Sequence, residues 1–185
     1  MSTTDDLTKN YSGLLGNILL ARNIKGRTII TIPQRSTKRE PTENQVTARR
    51  KFTLAARYAK NILQDPDMLA AYTARSRPGL SPYILAVTDY LKPPFVDSID
   101  ASGYRGNPGD KIGVTAGDDF ELSSVGVKIA DADGIVIEQG VCTFDLITGN
   151  YIYTATVAVS DVAGVTIVAK ATDLPGHTAN LSVTL

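Results

Sequence analysis

The chain has 185 residues, 43% of them apolar and 21% charged, and its 19 basic and 19 acidic side chains leave no net formal charge. Such a length accommodates one core or two, and such a composition excludes wholesale disorder. No stretch approaches the roughly 20 apolar residues that cross a bilayer, so no membrane association is expected.

The balanced total hides an asymmetry. Residues 1–95 carry 15 Lys or Arg against 7 Asp or Glu, a net +8, and residues 96–185 carry 4 against 12, a net −8. The asymmetry favours a division at Pro93-Pro94, into a basic region 1–94 and a second domain 95–185. It makes attraction between copies, or docking of the basic half on an acidic surface, physically reasonable; neutralisation of one half by the other within a molecule is the plainer alternative. The opening MSTTDDLTKN is acidic where a signal peptide is basic and then apolar, which predicts a protein not exported by the general route. Cys142 is the single cysteine and has no internal disulfide partner, in keeping with assembly in a reducing cytoplasm.

In chain order, the β-prone runs Asn17–Arg22 and Arg27–Ile32, separated by Asn23-Ile24-Lys25-Gly26, predict a hairpin. An isolated hairpin is marginal in water, so it must lie on a helix, another sheet or a neighbouring subunit. Residues 33–41 (PQRSTKREP) have no apolar period and hold Arg35, Lys38 and Arg39. They read as an exposed linker or protein-docking arm in preference to a nucleic-acid arm, because neither aromatics nor a recognised reading module accompany the charge. Thr42-Glu43-Asn44-Gln45 fits a capping box for a helix to about Leu63. On its wheel Ala48, Phe52, Ala55, Ala59, Ile62 and Leu63 form a packing stripe, with Arg49, Arg50, Arg57 and Lys60 opposite as a basic face. Asp65-Pro66 and Ser81-Pro82 each signal a further helix start, the second competing with a strand over Tyr83–Thr88.

Beyond Phe95 the pattern becomes β. Alternation runs through Val125/Val127/Ile129, Ile135/Ile137, Tyr151/Tyr153/Ala155/Val157, Val165/Ile167/Ala169 and Leu181/Val183/Leu185, with shorter candidates at 96–100 and 111–115, separated by Gly-, Asn- and Asp-rich turns. Seven such strands fit two facing sheets. The fold class expected is an α+β region, a β-hairpin plus two or three helices, followed by an all-β immunoglobulin-like sandwich.

Chemistry is sparse. His177 reads as a surface residue and Cys142 as a small buried hydrophobe, so no catalytic residue and no enzyme activity is expected. Asp118, Asp119, Asp131, Asp133, Asp161 and Asp173 lie at loops or strand ends, but Asp131-Ala132-Asp133-Gly134 lacks the closing Glu of a calcium loop. Turn stabilisation is therefore preferred, and neither metal nor cofactor is assigned. Gly103–Gly109 has no Gly-Lys-Ser/Thr ending and reads as a turn. Tyr104, Tyr151 and Tyr153 offer stacking faces for a sugar if exposed; Tyr151 and Tyr153 share one sheet face and are core if that face is buried.

Two resemblances add to these readings. Phe120, Val125–Ile129, Asp133-Gly134, Glu138-Gln139-Gly140, Tyr151–Ala155 and Ala169–Asp173 resemble bacterial immunoglobulin-like or fibronectin-type modules appended to surface and phage proteins. Gly13-Leu14-Leu15-Gly16-Asn17, the hairpin, the basic linker and Thr42–Leu63 resemble an uncharacterised family of Bacteroidetes genomes and their phages. The second resemblance implies a phage virion component, such as a capsid decoration, connector or tail part. Its partners would be other copies or neighbouring structural proteins, and it would be made in the host cytoplasm and located in the virion. The alternatives are a cytoplasmic protein, a carbohydrate- or surface-binding module, and a nucleic-acid-associated protein using the basic half.

Overall fold

The computed structural model describes residues 12–16, 18–24, 27–33 and 40–185, and the chain divides into two compact units, Met1–Thr42 and Glu43–Leu185. In the first unit β1 (Gly13–Leu15), β2 (Leu19–Ile24) and β3 (Arg27–Thr31) form an antiparallel sheet in that order. The hairpin register runs from Leu20↔Thr31 to Ile24↔Arg27, so β2 extends two residues past the sequence expectation and only positions 25–26 connect the strands. The additional strand β1 is turned back onto β2 at Gly16, whose φ of +57° is a conformation that glycine adopts without steric cost. Arg35, Lys38 and Arg39 lie outside the described residues.

The second unit begins with α1 (Glu43–Ile62), α2 (Pro66–Ala74) and α3 (Pro82–Leu91). Asp65 caps α2 by accepting from the amides of Asp67 and Met68, at 2.9 and 3.4 Å, and Ser81 accepts from the Ile84 amide at 3.4 Å. With proline at the first helical position these caps decide for helix over strand at residues 82–91. Ala55 and Ala59 of α1 and Ala86 and Val87 of α3 are buried in one cluster with Tyr72 of α2, and the small side chains let α1 and α3 approach closely. The change from helix to strand falls at Pro93-Pro94, inside this unit.

Eight strands follow: β4 (Phe95–Asp100), β5 (Lys111–Gly117), β6 (Leu122–Ala130), β7 (Val136–Val141), β8 (Thr143–Asp145), β9 (Asn150–Thr154), β10 (Thr166–Asp173) and β11 (Thr178–Thr184). They make two antiparallel sheets, β11-β10-β6-β7 and β4-β5-β9-β8, packed together as a sandwich. The inner rows Ile129↔Ile167, Val127↔Ala169 and Val125↔Ala171 of one sheet meet Ile112, Val114 and Tyr153 of the other. Each fully buried Val or Ile contributes about 1.5–3 kcal/mol of transfer free energy. Three residues counted into the alternation are corrected: Ile135, Val157 and Leu185 lie outside the strands and are exposed. Ile135 is held in the turn because its amide donates to the Asp131 carboxylate at 2.8 Å and its carbonyl accepts from the Asp131 amide.

Candidate functional site

The first candidate surface is the front sheet. Leu14, Leu19, Ile24, Ile29 and Ile30 of its strands, with Ile18 and Ile32 beside them, are exposed large apolar residues. Register places Leu14, Leu20, Ile24 and Ile29 on one face and Leu19, Ala21 and Ile30 on the other; Ala21 is buried, and each face still carries exposed large aliphatic residues. Exposed large apolar residues grouped on one small sheet mark an interaction site more often than single scattered ones do.

The helix beside it in the chain departs from the expected stripe. Ala55 and Ala59 are buried and Ile62 is half-buried, but Phe52 is 56% exposed and every residue from Glu43 to Leu54 is exposed. The stripe is real as a pattern, yet the helix cluster that covers it begins only at Ala55. Phe52, Val46 and Leu54 are exposed large apolar residues of this helix. Arg49, Arg50, Arg57 and Lys60 are all exposed as well.

On the sandwich, a groove of about 600 Å³ crosses the outer face of the β11-β10-β6-β7 sheet, lined by Gly126, Lys128, Gln139, Val141, Lys170 and Asn180 among others. Its floor is low because Gly126, paired with Val141 on one side and Lys170 on the other, brings no side chain to the middle of the sheet. The lining contains two lysines and no carboxylate, in a half of the chain where Asp and Glu outnumber Lys and Arg by 12 to 4.

The three tyrosines lie elsewhere. Tyr104 and Tyr153 are buried, and neither offers the stacking face that a sugar needs. Both belong to the core around Glu138, which points inward from β7. Its Oε2 accepts from the Tyr153 hydroxyl at 3.1 Å, the Thr156 amide at 2.9 Å and the Thr156 hydroxyl at 2.7 Å. Burial and the Glu138 carboxylate push the Tyr153 phenol up to about 12, so it remains a donor across the physiological range. Tyr151 shares the face of Tyr153, is half-buried and packs on Phe144 with ring centroids 5.0 Å apart.

The helices are fastened to the loops at one end of the sandwich by a polar junction that sequence reading did not anticipate. Tyr58 of α1 meets Tyr72 of α2, hydroxyl to hydroxyl, at 3.3 Å, and the Tyr72 hydroxyl donates to Asp89 of α3 at 2.6 Å. Asp89 is buried, as is Asp173 at the end of β10. Asp173 accepts from the His177 amide at 2.6 Å and faces His177 Nδ1 at 3.0 Å, and the His177 ring meets Tyr90 edge-on. Phe120 stacks on Tyr72 and lies under the Arg75 guanidinium, which also reaches the Phe120 carbonyl and, at 3.4 Å, Glu121. An exposed Lys92–Asp119 pair lies between α3 and the same loop. His177 is thus tied into this junction and is not the isolated surface residue expected. Desolvation raises the Asp89 carboxyl to about 6, with Asp118 and Asp173 adding repulsion against the opposing hydrogen bond from Tyr72.

The Cys142 thiol is buried, which pushes it up to about 11 and holds it protonated. Asp118, Asp131 and Asp161 accept from amides of their own loops. No group of three or more His, Cys, Asp or Glu among the described residues is set to hold a metal ion, and no helix among them is long and apolar enough to cross a membrane. Comparison with protein-family models, curated proteins and solved structures finds no match.

Proposed function

We propose that this is a non-enzymatic interaction protein, a structural part of an assembly, which docks on other copies or neighbouring structural proteins through its front sheet and the exposed start of α1. The observation that carries the reading is the front sheet, whose strands hold exposed large aliphatic residues on both faces. Apolar burial supplies the affinity, and Arg49, Arg50, Arg57 and Lys60 steer the approach to an acidic neighbour. The narrower reading, a virion part with an immunoglobulin-like module, is supported by the two resemblances. Light scattering across concentration and salt tests the docking: the native chain forms assemblies, and Ile29→Lys with Ile30→Lys yields a monomer with an unchanged sandwich. Variants that assemble like the native chain end the proposal.

The groove over Gly126 favours a second reading, a carbohydrate- or surface-binding module that takes an anionic ligand on the sandwich. Its volume lies within the range of small-ligand sites, about 300–1,000 Å³. Lys128 and Lys170 would hold an acid group, Gln139 and Asn180 hydroxyls, and the floor an apolar ring edge. Glycan-array binding restricted to acidic saccharides and lost in Lys128→Glu/Lys170→Glu supports it; binding indifferent to those lysines removes it.

A further inference from the structure

The junction contains two carboxylates with an unused side each. Oδ2 of Asp89 accepts from Tyr72, and Oδ2 of Asp118 accepts from the amides of Phe120 and Glu121 at 2.9 and 3.2 Å. Oδ1 of both residues is buried and has no hydrogen-bond partner, and the two side chains lie within hydrogen-bonding reach of each other. Two ionised carboxylates in that position repel at close range in a poorly solvated place, whereas one proton between them turns the repulsion into a hydrogen bond. We propose that Asp89 and Asp118 share a single proton across the contact between the helices and the sandwich, making a latch that acid closes and that deprotonation loosens. This inference is independent of the docking surfaces.

The groups facing Asp89 are Tyr72 from α2, Tyr58 from α1 by way of Tyr72, Asp118 from the β5–β6 loop and Asp173 from β10, the last with His177 against it. Among the described residues no Lys or Arg is paired with Asp89 or Asp118, since Arg75 is engaged by Phe120 and Glu121 and Lys92 by Asp119, so a proton is the neutralising charge between the two carboxylates. Tyr72 is held firmly protonated by burial and by Asp89, and does not release a proton in this range. The folded carboxyl, at about 6, lies above its ordinary value of 3.8, so the native state binds the extra proton. Its contribution to stability is complete below the unfolded value and is lost as pH rises through about 6. Asp100, Asp110 and Asp145 are held below the usual carboxylate range by hydrogen bonds from their own loops, and they act in the opposite direction at lower pH. The window to measure is therefore pH 5 to 8.

His177 lies against Asp173 in the same junction, so its replacement serves as the control. Thermal unfolding of the native chain from pH 5 to 8 is compared with that of Asp118→Asn and His177→Gln. The carboxamide at 118 keeps its oxygen for the two loop amides and donates its N–H to Asp89 Oδ1, replacing the proton permanently. The native melting temperature is expected to fall by roughly 5 °C over the window. Asp118→Asn should clearly reduce that fall, leaving the share that burial of Asp89 causes, and His177→Gln should retain it. A fall undiminished in Asp118→Asn, or one that vanishes in His177→Gln, overturns the proposal. Carbon-13 carboxyl spectra of aspartate-labelled native protein provide a readout that needs no variant: a buried carboxyl titrating near 6 is expected, and its absence refutes the latch. A rise in melting temperature at pH 7.5 on adding calcium chloride that Asp118→Asn removes would assign the pair to a metal cation, and also overturns it.

Discussion

The front sheet and the sandwich are built from similar residues and arranged differently. Both rely on branched aliphatic residues in antiparallel strands, Leu and Ile in the front sheet and chiefly Val and Ile in the sandwich, but Ile129 and Ile167 are fully buried whereas Ile29 and Ile30 are about half exposed. The difference is one of layers: a second sheet covers the sandwich rows, while three short strands have too little area to fold over themselves. Side-chain type therefore specifies a strand, and the presence of an opposing layer decides whether that strand builds a core or a contact surface.

The largest effect expected from this contrast is in the sandwich. Ile129→Ala should lower unfolding free energy by about 2–5 kcal/mol in urea titration, and the same change at Ile29 should leave monomer stability within about 0.5 kcal/mol while reducing assembly. A loss at Ile29 equal to that at Ile129 would show that the front sheet has a core of its own. Next comes the inner polar contact: Glu138→Ala strips the acceptor from Tyr153 and Thr156 and should cost about 1–3 kcal/mol by the same titration. Along α1 the contrast recurs within one element. Ala55→Leu should overpack the contact with α3 at a cost of about 1–3 kcal/mol, and Phe52→Ala should be nearly silent in a monomer. Smallest is Asp65→Ala, where removing the α2 cap should cost about 1 kcal/mol, seen as a drop of a few degrees by circular dichroism.

Much of the secondary structure was legible because it is written locally. The Asp65-Pro66 and Ser81-Pro82 starts lie within four residues of the amides they cap, and alternation in 125–129 and 165–169 needs no knowledge of the partner strand. The three-residue strand β1 was missed because a run that short has no period to detect. Phe52 was misplaced for another reason: a helical wheel shows which residues share a side, but not where the covering element begins. The junction was the least legible. Tyr72 and Asp89 are 17 residues apart and Arg75 and Phe120 are 45, so only folding brings them together. A single acid amid the apolar residues of α3 was the one available hint.

The uneven burial of α1 has a mechanical consequence. Its exposed first 12 residues or so rise 1.5 Å each, giving a rod about 18 Å long beyond the part held against α3. A tilt of about 10° at that anchorage would carry the tip sideways by about 3 Å, roughly two residues' rise along a helix. Small changes in packing at Ala55 and Ala59 are thereby magnified into displacements large enough to move Val46 into or out of alignment with a neighbour.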